Sequence, residues 1–129
     1  MDFVFAEQLY RSVQPCTPMG RHDQPEGLGV RGSGAVILRA ALKYPLIAHI
    51  MRQPSAQFPG KTITNQNELL TRYPGDLAGK TGYTNLARKT YLGAAQRGNR
   101  RLVVVQMYGS GDLYGQAIKL LDWGFAQNR

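Results

Sequence analysis

The stretch Ala78-Gly79-Lys80-Thr81-Gly82-Tyr83-Thr84 decides how the rest of the chain is read. It sets an ammonium and a hydroxyl on adjacent residues, with a glycine on either side. Small neighbours let another backbone or a ligand come close. Tyr83 and Thr84 favour extended backbone, so the stretch reads as a strand. Neighbouring side chains on a strand point to opposite faces. Lys80 and Gly82 therefore share one face and Thr81 and Tyr83 the other, and only at a sheet edge do both faces reach one cleft. A cation beside a hydroxyl and a free backbone N–H suits a carboxylate. Taken alone, a Gly-Lys-Thr-Gly tetrapeptide is more often a solvated turn or strand end. A phosphate-binding loop is excluded. Three residues separate Gly75 from Gly79 where that loop needs four, and Gly82-Tyr83-Thr84 stands where its helix should begin.

Downstream, a turn at Asn85-Leu86-Ala87 leads into a strand over residues 89–95. Arg97-Gly98-Asn99-Arg100 is a hairpin turn of primed type, and residues 101–108 return as a strand. Counting back from the turn pairs Ala95 with Leu102, Ala94 with Val103, Gly93 with Val104 and Leu92 with Val105. Both faces of this hairpin are apolar, so both require cover. The fold class is α/β: an antiparallel meander of about three strands between helical layers, a sandwich. Gly109-Ser110-Gly111 breaks the last strand. Asp112 caps a final helix with Leu113, Ala117, Leu120, Leu121 and Phe125 on one stripe and Trp123 at its edge.

Upstream, Tyr73-Pro74-Gly75-Asp76 is a turn, and residues 65–70 are a polar turn leading into a brief helix. Residues 61–64 read as a short edge strand. Pro54 and Pro59 end the section before it. Two helices are expected earlier. One is capped at Ser33 and presents Val36, Ile37, Ala40, Ala41 and Tyr44 on one face. The other, after Pro45, carries Leu46, Ile47, Ile50 and Met51. Residues 14–34, rich in proline and glycine, read as loop, after a short helix over residues 2–12. The expected division is a poorly ordered or non-native segment over 1–32 and a folded unit over 33–129.

The chain has 129 residues, 43% of them hydrophobic, which makes one small domain or part of a larger one. A net charge of +8 favours anionic partners. Apart from Arg97, Arg100 and Arg101 around one turn, the basic residues are scattered as on a solvated surface. With no recognition helix, zinc site or aromatic platform, no specific nucleic-acid partner is expected. Cys16 is the only cysteine, so no intrachain disulfide forms, and His22 and His49 are isolated. No metal-ligand spacing occurs, and no metal or cofactor is expected. Residues 1–7 carry acids where a secretory signal carries bases, and no stretch spans a membrane. As written, the chain is expected to stay in the cytoplasm.

From about Asn65 to Phe125 the chain resembles the C-terminal part of the penicillin-binding domain of serine-type D-alanyl-D-alanine carboxypeptidases, exported hydrolases of the bacterial cell envelope. The matching residues run in order: Asn65-x-Asn67-x-Leu69-Leu70, Pro74-Gly75, Gly79 to Thr84, an alanine-rich strand, an apolar strand ending in Gly109, and Leu120-Leu121-Asp122-Trp123-Gly124-Phe125. The resemblance implies a partial β-lactamase-like domain that meets a peptidoglycan stem peptide or a β-lactam. It implies that Lys80, Thr81 and Gly82 form the family's Lys-Thr-Gly motif. Lys80 would supply positive potential, Thr81 would bind the terminal carboxylate, and the Tyr83 backbone N–H would be one oxyanion donor. The family's Ser-x-x-Lys and Ser-x-Asn motifs are absent from Ser12, Ser33, Ser55 and Ser110. Its usual Ala-Gly pair after Lys-Thr-Gly is Ala87-Arg88 here. The reading is a truncated carboxypeptidase, inactive alone, with self-association through exposed apolar surface. The alternatives are a non-catalytic cell-wall binding module and, remotely, a basic nucleic-acid-binding domain.

Overall fold

The computed structural model describes residues 26–86 and 88–127. The helix expected over 2–12, Cys16 and His22 lie outside them. In chain order the elements are α1 (Glu26–Ala41), α2 (Pro45–Met51), β1 (Ser55–Phe58), β2 (Lys61–Thr64), α3 (Leu69–Arg72), β3 (Asp76–Thr84), β4 (Arg88–Arg97), β5 (Arg100–Gly109) and α4 (Leu113–Ala126).

The core is the antiparallel meander β3-β4-β5. Its hairpin pairs Leu92 with Val105, Gly93 with Val104, Ala94 with Val103 and Ala95 with Leu102, the register counted from the turn. Gly98, the first central residue of that turn, has φ 57°. This is the left-handed value that a type II′ turn asks of glycine there. Alternation along β5 then sorts its side chains. Leu102 and Val104 join Tyr91 and Ala95 under Leu113, Ala117, Leu120 and Leu121 of α4. Val103, with Ala78 and Ala94, packs on Ala35 and Leu38 of α1. Each face of the meander has a helix, as its two apolar sides require.

Both ends of α4 are tied down. Asp112 accepts from the Gly115 N–H at 3.0 Å. Arg100, from the hairpin turn, donates to the carbonyls of Gly124, Phe125 and Gln127 at 3.2, 3.1 and 2.8 Å. A guanidinium there meets the unpaired carbonyls and the negative end of the helix dipole. Arg97 meets Asp122 and lies over the rings of Tyr73 and Phe125, while Arg101 donates to Gln96 at 2.7 Å. Every member of the arginine cluster is thus engaged within the fold.

Three expectations are corrected. First, α1 begins at Glu26, so residues 26–34 are helix and Ser33 is interior rather than a cap. The prolines of the supposed loop all precede Glu26; glycines weaken a helix by about 1 kcal/mol each but do not block it. Second, α1 packs through Ala35 and Leu38, while Val36, Ile37 and Tyr44 of the expected face are 59%, 66% and 63% exposed. The helix is apolar on two sides, and a periodic stripe does not say which side is covered. No residue of α2 is buried. Third, β1 was not expected. It pairs with β2 from Ser55↔Thr64 to Phe58↔Lys61. Pro54 and Pro59 bracket it instead of breaking the chain. Pro59-Gly60, with Gly60 at φ 79°, makes the turn as Pro then Gly do in a type II turn.

Among the described residues no single helix is long and apolar enough to cross a membrane.

Candidate carboxylate-binding edge

β3 is the end strand of the meander. It pairs Lys80 with Leu92, Thr81 with Tyr91, Gly82 with Thr90 and Tyr83 with Lys89. Leu92 packs on the α1 side and Tyr91 on the α4 side. Lys80 and Thr81 therefore leave the strand on opposite faces of the sheet, Lys80 on the α1 side and Thr81 on the α4 side. Lys80 is exposed and its Nζ donates to the Thr81 carbonyl. The Thr81 hydroxyl donates to Gln66 Oε1 at 3.3 Å. Lys80 takes part in none of the ion pairs among the described residues, which use Arg72 and Arg97. Three residues after Lys80, Tyr83 is 61% exposed and its hydroxyl donates to Asn85 at 3.3 Å.

Behind this edge lies a buried polar cluster that the sequence reading did not single out. Asn67, 3% exposed, sits against Gly79; any Cβ at Gly79 would run into its carboxamide. Its Nδ2 donates to Asp76 Oδ2 at 2.8 Å. Its Oδ1 accepts from the Tyr91 hydroxyl at 2.9 Å and from the Leu69 N–H at 3.2 Å. The neighbouring Asn65 donates to the carbonyls of Met51 and Gln53 at 3.1 and 2.9 Å, fastening the segment to the end of α2. Tyr114 of α4 donates to the Gln66 carbonyl at 2.6 Å. Desolvation pushes Asp76 up to about 7, against the bond from Asn67 and the charge of Arg52. Burial likewise raises Tyr91, helped by the Asp76 charge, so its phenol keeps its proton and donates. The available signal was the polar pair Asn65-x-Asn67 ahead of two leucines.

An open cleft of about 630 Å³ lies at the other end of β3, lined by Arg52, Tyr73, Asp76, Leu77 and Gln96 among others. Neither Lys80 nor Thr81 lines it. Among the described residues no group of three His, Cys, Asp or Glu could hold a metal.

No protein-family model matches the chain. It is 54% identical, over 81% of its length, to the D-alanyl-D-alanine carboxypeptidase DacB2 of Mycobacterium tuberculosis, and covers 42% of that protein. It is 35% identical over half its length to DacF of Bacillus subtilis, a protein of the same name class, covering 17% of it. Among solved structures, a D-alanyl-D-alanine carboxypeptidase from M. tuberculosis superposes with a TM-score of 0.68 at 54% identity, over 72% of this chain and 39% of that one. Penicillin-binding protein 6B of Escherichia coli gives 0.63 at 32% identity, over 70% of this chain and 30% of its own. The Streptomyces K15 DD-transpeptidase shares the fold, with a TM-score of 0.68 at 23% identity, over 72% and 40%. The chain spans less than half the length of each of these relatives. In sequence and in fold, this chain is a relative of the D-alanyl-D-alanine carboxypeptidases and penicillin-binding proteins, and it corresponds to the C-terminal part of their domain.

Proposed function

We propose that this chain carries one wall of a serine-type D-alanyl-D-alanine peptidase site and that the Lys80–Thr81 edge receives the terminal carboxylate of a peptidoglycan stem peptide or a β-lactam. Thr81 donates to the carboxylate, Lys80 provides positive potential, Gly82 keeps the edge low, and the Tyr83 N–H serves the oxyanion. What supports this reading is a lysine with no acidic partner among the described residues next to a hydroxyl, both on the end strand of the meander. The sequence contains no Ser-x-x-Lys and no Ser-x-Asn, so the chain by itself binds without acylating. A wet, exposed cation contributes only about 0–1 kcal/mol, which places affinity at about millimolar or weaker.

The test is a ¹⁵N NMR titration with acetyl-D-alanyl-D-alanine and with its C-terminal amide. The acid should move the amide resonances of residues 80–83, the amide should not, and Lys80→Ala or Thr81→Val should remove the effect. Equal shifts from acid and amide, or shifts that survive both substitutions, would end the reading.

A further inference from the structure

We infer that Asn67 is the positioning residue of the Lys80–Thr81 edge: its carboxamide, gripped by Asp76 and Tyr91, fixes the height of the backbone at Gly79 and so where Lys80 and Thr81 stand. This rests on the proposed carboxylate site. Three observations carry it. The carboxamide fills the space where a side chain at Gly79 would be, so the strand one residue before Lys80 lies directly on it. The carboxamide cannot turn, because both its ends are used: Nδ2 on Asp76 at 2.8 Å, Oδ1 on Tyr91 at 2.9 Å and on the Leu69 N–H at 3.2 Å. The grip comes from three places at once: α3, the first residue of β3, and the strand β4 that pairs with Thr81. Asn67 N–H, in turn, donates to Asn65 Oδ1 at 3.0 Å, and Asn65 is fastened to the end of α2. Buried bonds of this kind hold a geometry because breaking any one strands a polar group away from water. The residue touches no ligand in this arrangement; it acts through Gly79.

The chemistry of the grip permits a swap. At pH 8, where Asp76 is ionised, Asn67→Asp alone faces one carboxylate with another and loses the donor. Adding Asp76→Asn restores a donor on the other side, and the new carboxylate at 67 still accepts from Tyr91 and Leu69. Asp76→Asn alone keeps the bond, since its amide oxygen accepts as the carboxylate did. The experiment compares these three variants with the unaltered chain, at a temperature where all are folded, by two readouts. The first is the set of Lys80 and Thr81 backbone resonances without ligand. The second is affinity for acetyl-D-alanyl-D-alanine. Asn67→Asp should displace those resonances and weaken binding about fivefold, the worth of one hydrogen bond. The swap and Asp76→Asn should restore or keep both. Should Asn67→Asp fail to fold, Tyr91→Phe removes one of the three bonds and gives the same comparison with a smaller change. A lower melting temperature with resonances and affinity unmoved would make Asn67 merely structural and overturn the inference, as would a swap that restores neither. If the unaltered chain shows no selective binding of the acid, the carboxylate reading fails. The ligand-free resonances still decide whether Asn67 sets the edge.

Discussion

At the scale of single residues, Asp76 is a carboxyl whose titration burial carries up to neutral pH. Burial raises it from 3.8 to about 7, with Asn67 and Arg52 opposing. The folded chain thus holds this proton more tightly than the unfolded chain does. Folding takes up a proton between about pH 4 and 7, so this group's contribution to stability is full below that window. It declines as pH rises through the window and is lost above it. Asp76→Asn should flatten the decline and leave the variant more stable than the unaltered chain at pH 8, though not at pH 4, as urea unfolding at the two pH values will show. Arg88 is a second case. It has φ 58°, a conformation that costs a side chain with a Cβ about 1–2 kcal/mol. Arg88→Gly should stabilise the chain by up to about 1 kcal/mol, the relief being partly offset by the greater freedom of glycine in the unfolded state. A raised urea midpoint at constant slope checks it.

At the scale of elements, the bond between the hairpin turn and α4 rests on Arg100. Removing its three hydrogen bonds to the end carbonyls with Arg100→Ala should cost about 1–3 kcal/mol. Amide exchange should quicken first in the last turn of α4. Arg101→Ala, which removes one exposed side-chain hydrogen bond, to Gln96, should cost far less by the same denaturation measurement. The hairpin was legible in the sequence because Gly98-Asn99 fixes the turn, and alternation of Leu102, Val103, Val104 and Val105 then fixes the register. The stripe of α4 was legible because only one of its sides is apolar. The packing face of α1 was not, since Ala35 and Leu38 compete with the equally apolar Val36 and Ile37, and hydrophobicity alone does not choose between the two sides. β1 was obscured because a proline that closes a strand and a proline that forbids one look the same until its partner is known. At the candidate site, alternation placed Lys80 and Thr81 on their faces. The cluster behind them joins residues from 65 to 91 and had no local signature beyond two asparagines.

At the scale of the whole molecule, the described residues form a three-stranded sheet with a helix on each face. An apolar side of α1 and α2 is left exposed, from Val36 and Ile37 through Ile50. This unit matches less than half of a carboxypeptidase; on the proposed reading its Lys80–Thr81 edge is one wall of a site, and the sequence contains no Ser-x-x-Lys to supply the nucleophile. The most direct measurement is therefore capture of labelled penicillin. The chain is refolded with and without the part of the M. tuberculosis relative that it does not span, and the refolding is repeated with Lys80→Ala. The account predicts no capture by the chain alone, capture by the mixture, and its loss with Lys80→Ala. Capture by the mixture that is indifferent to Lys80→Ala would contradict it.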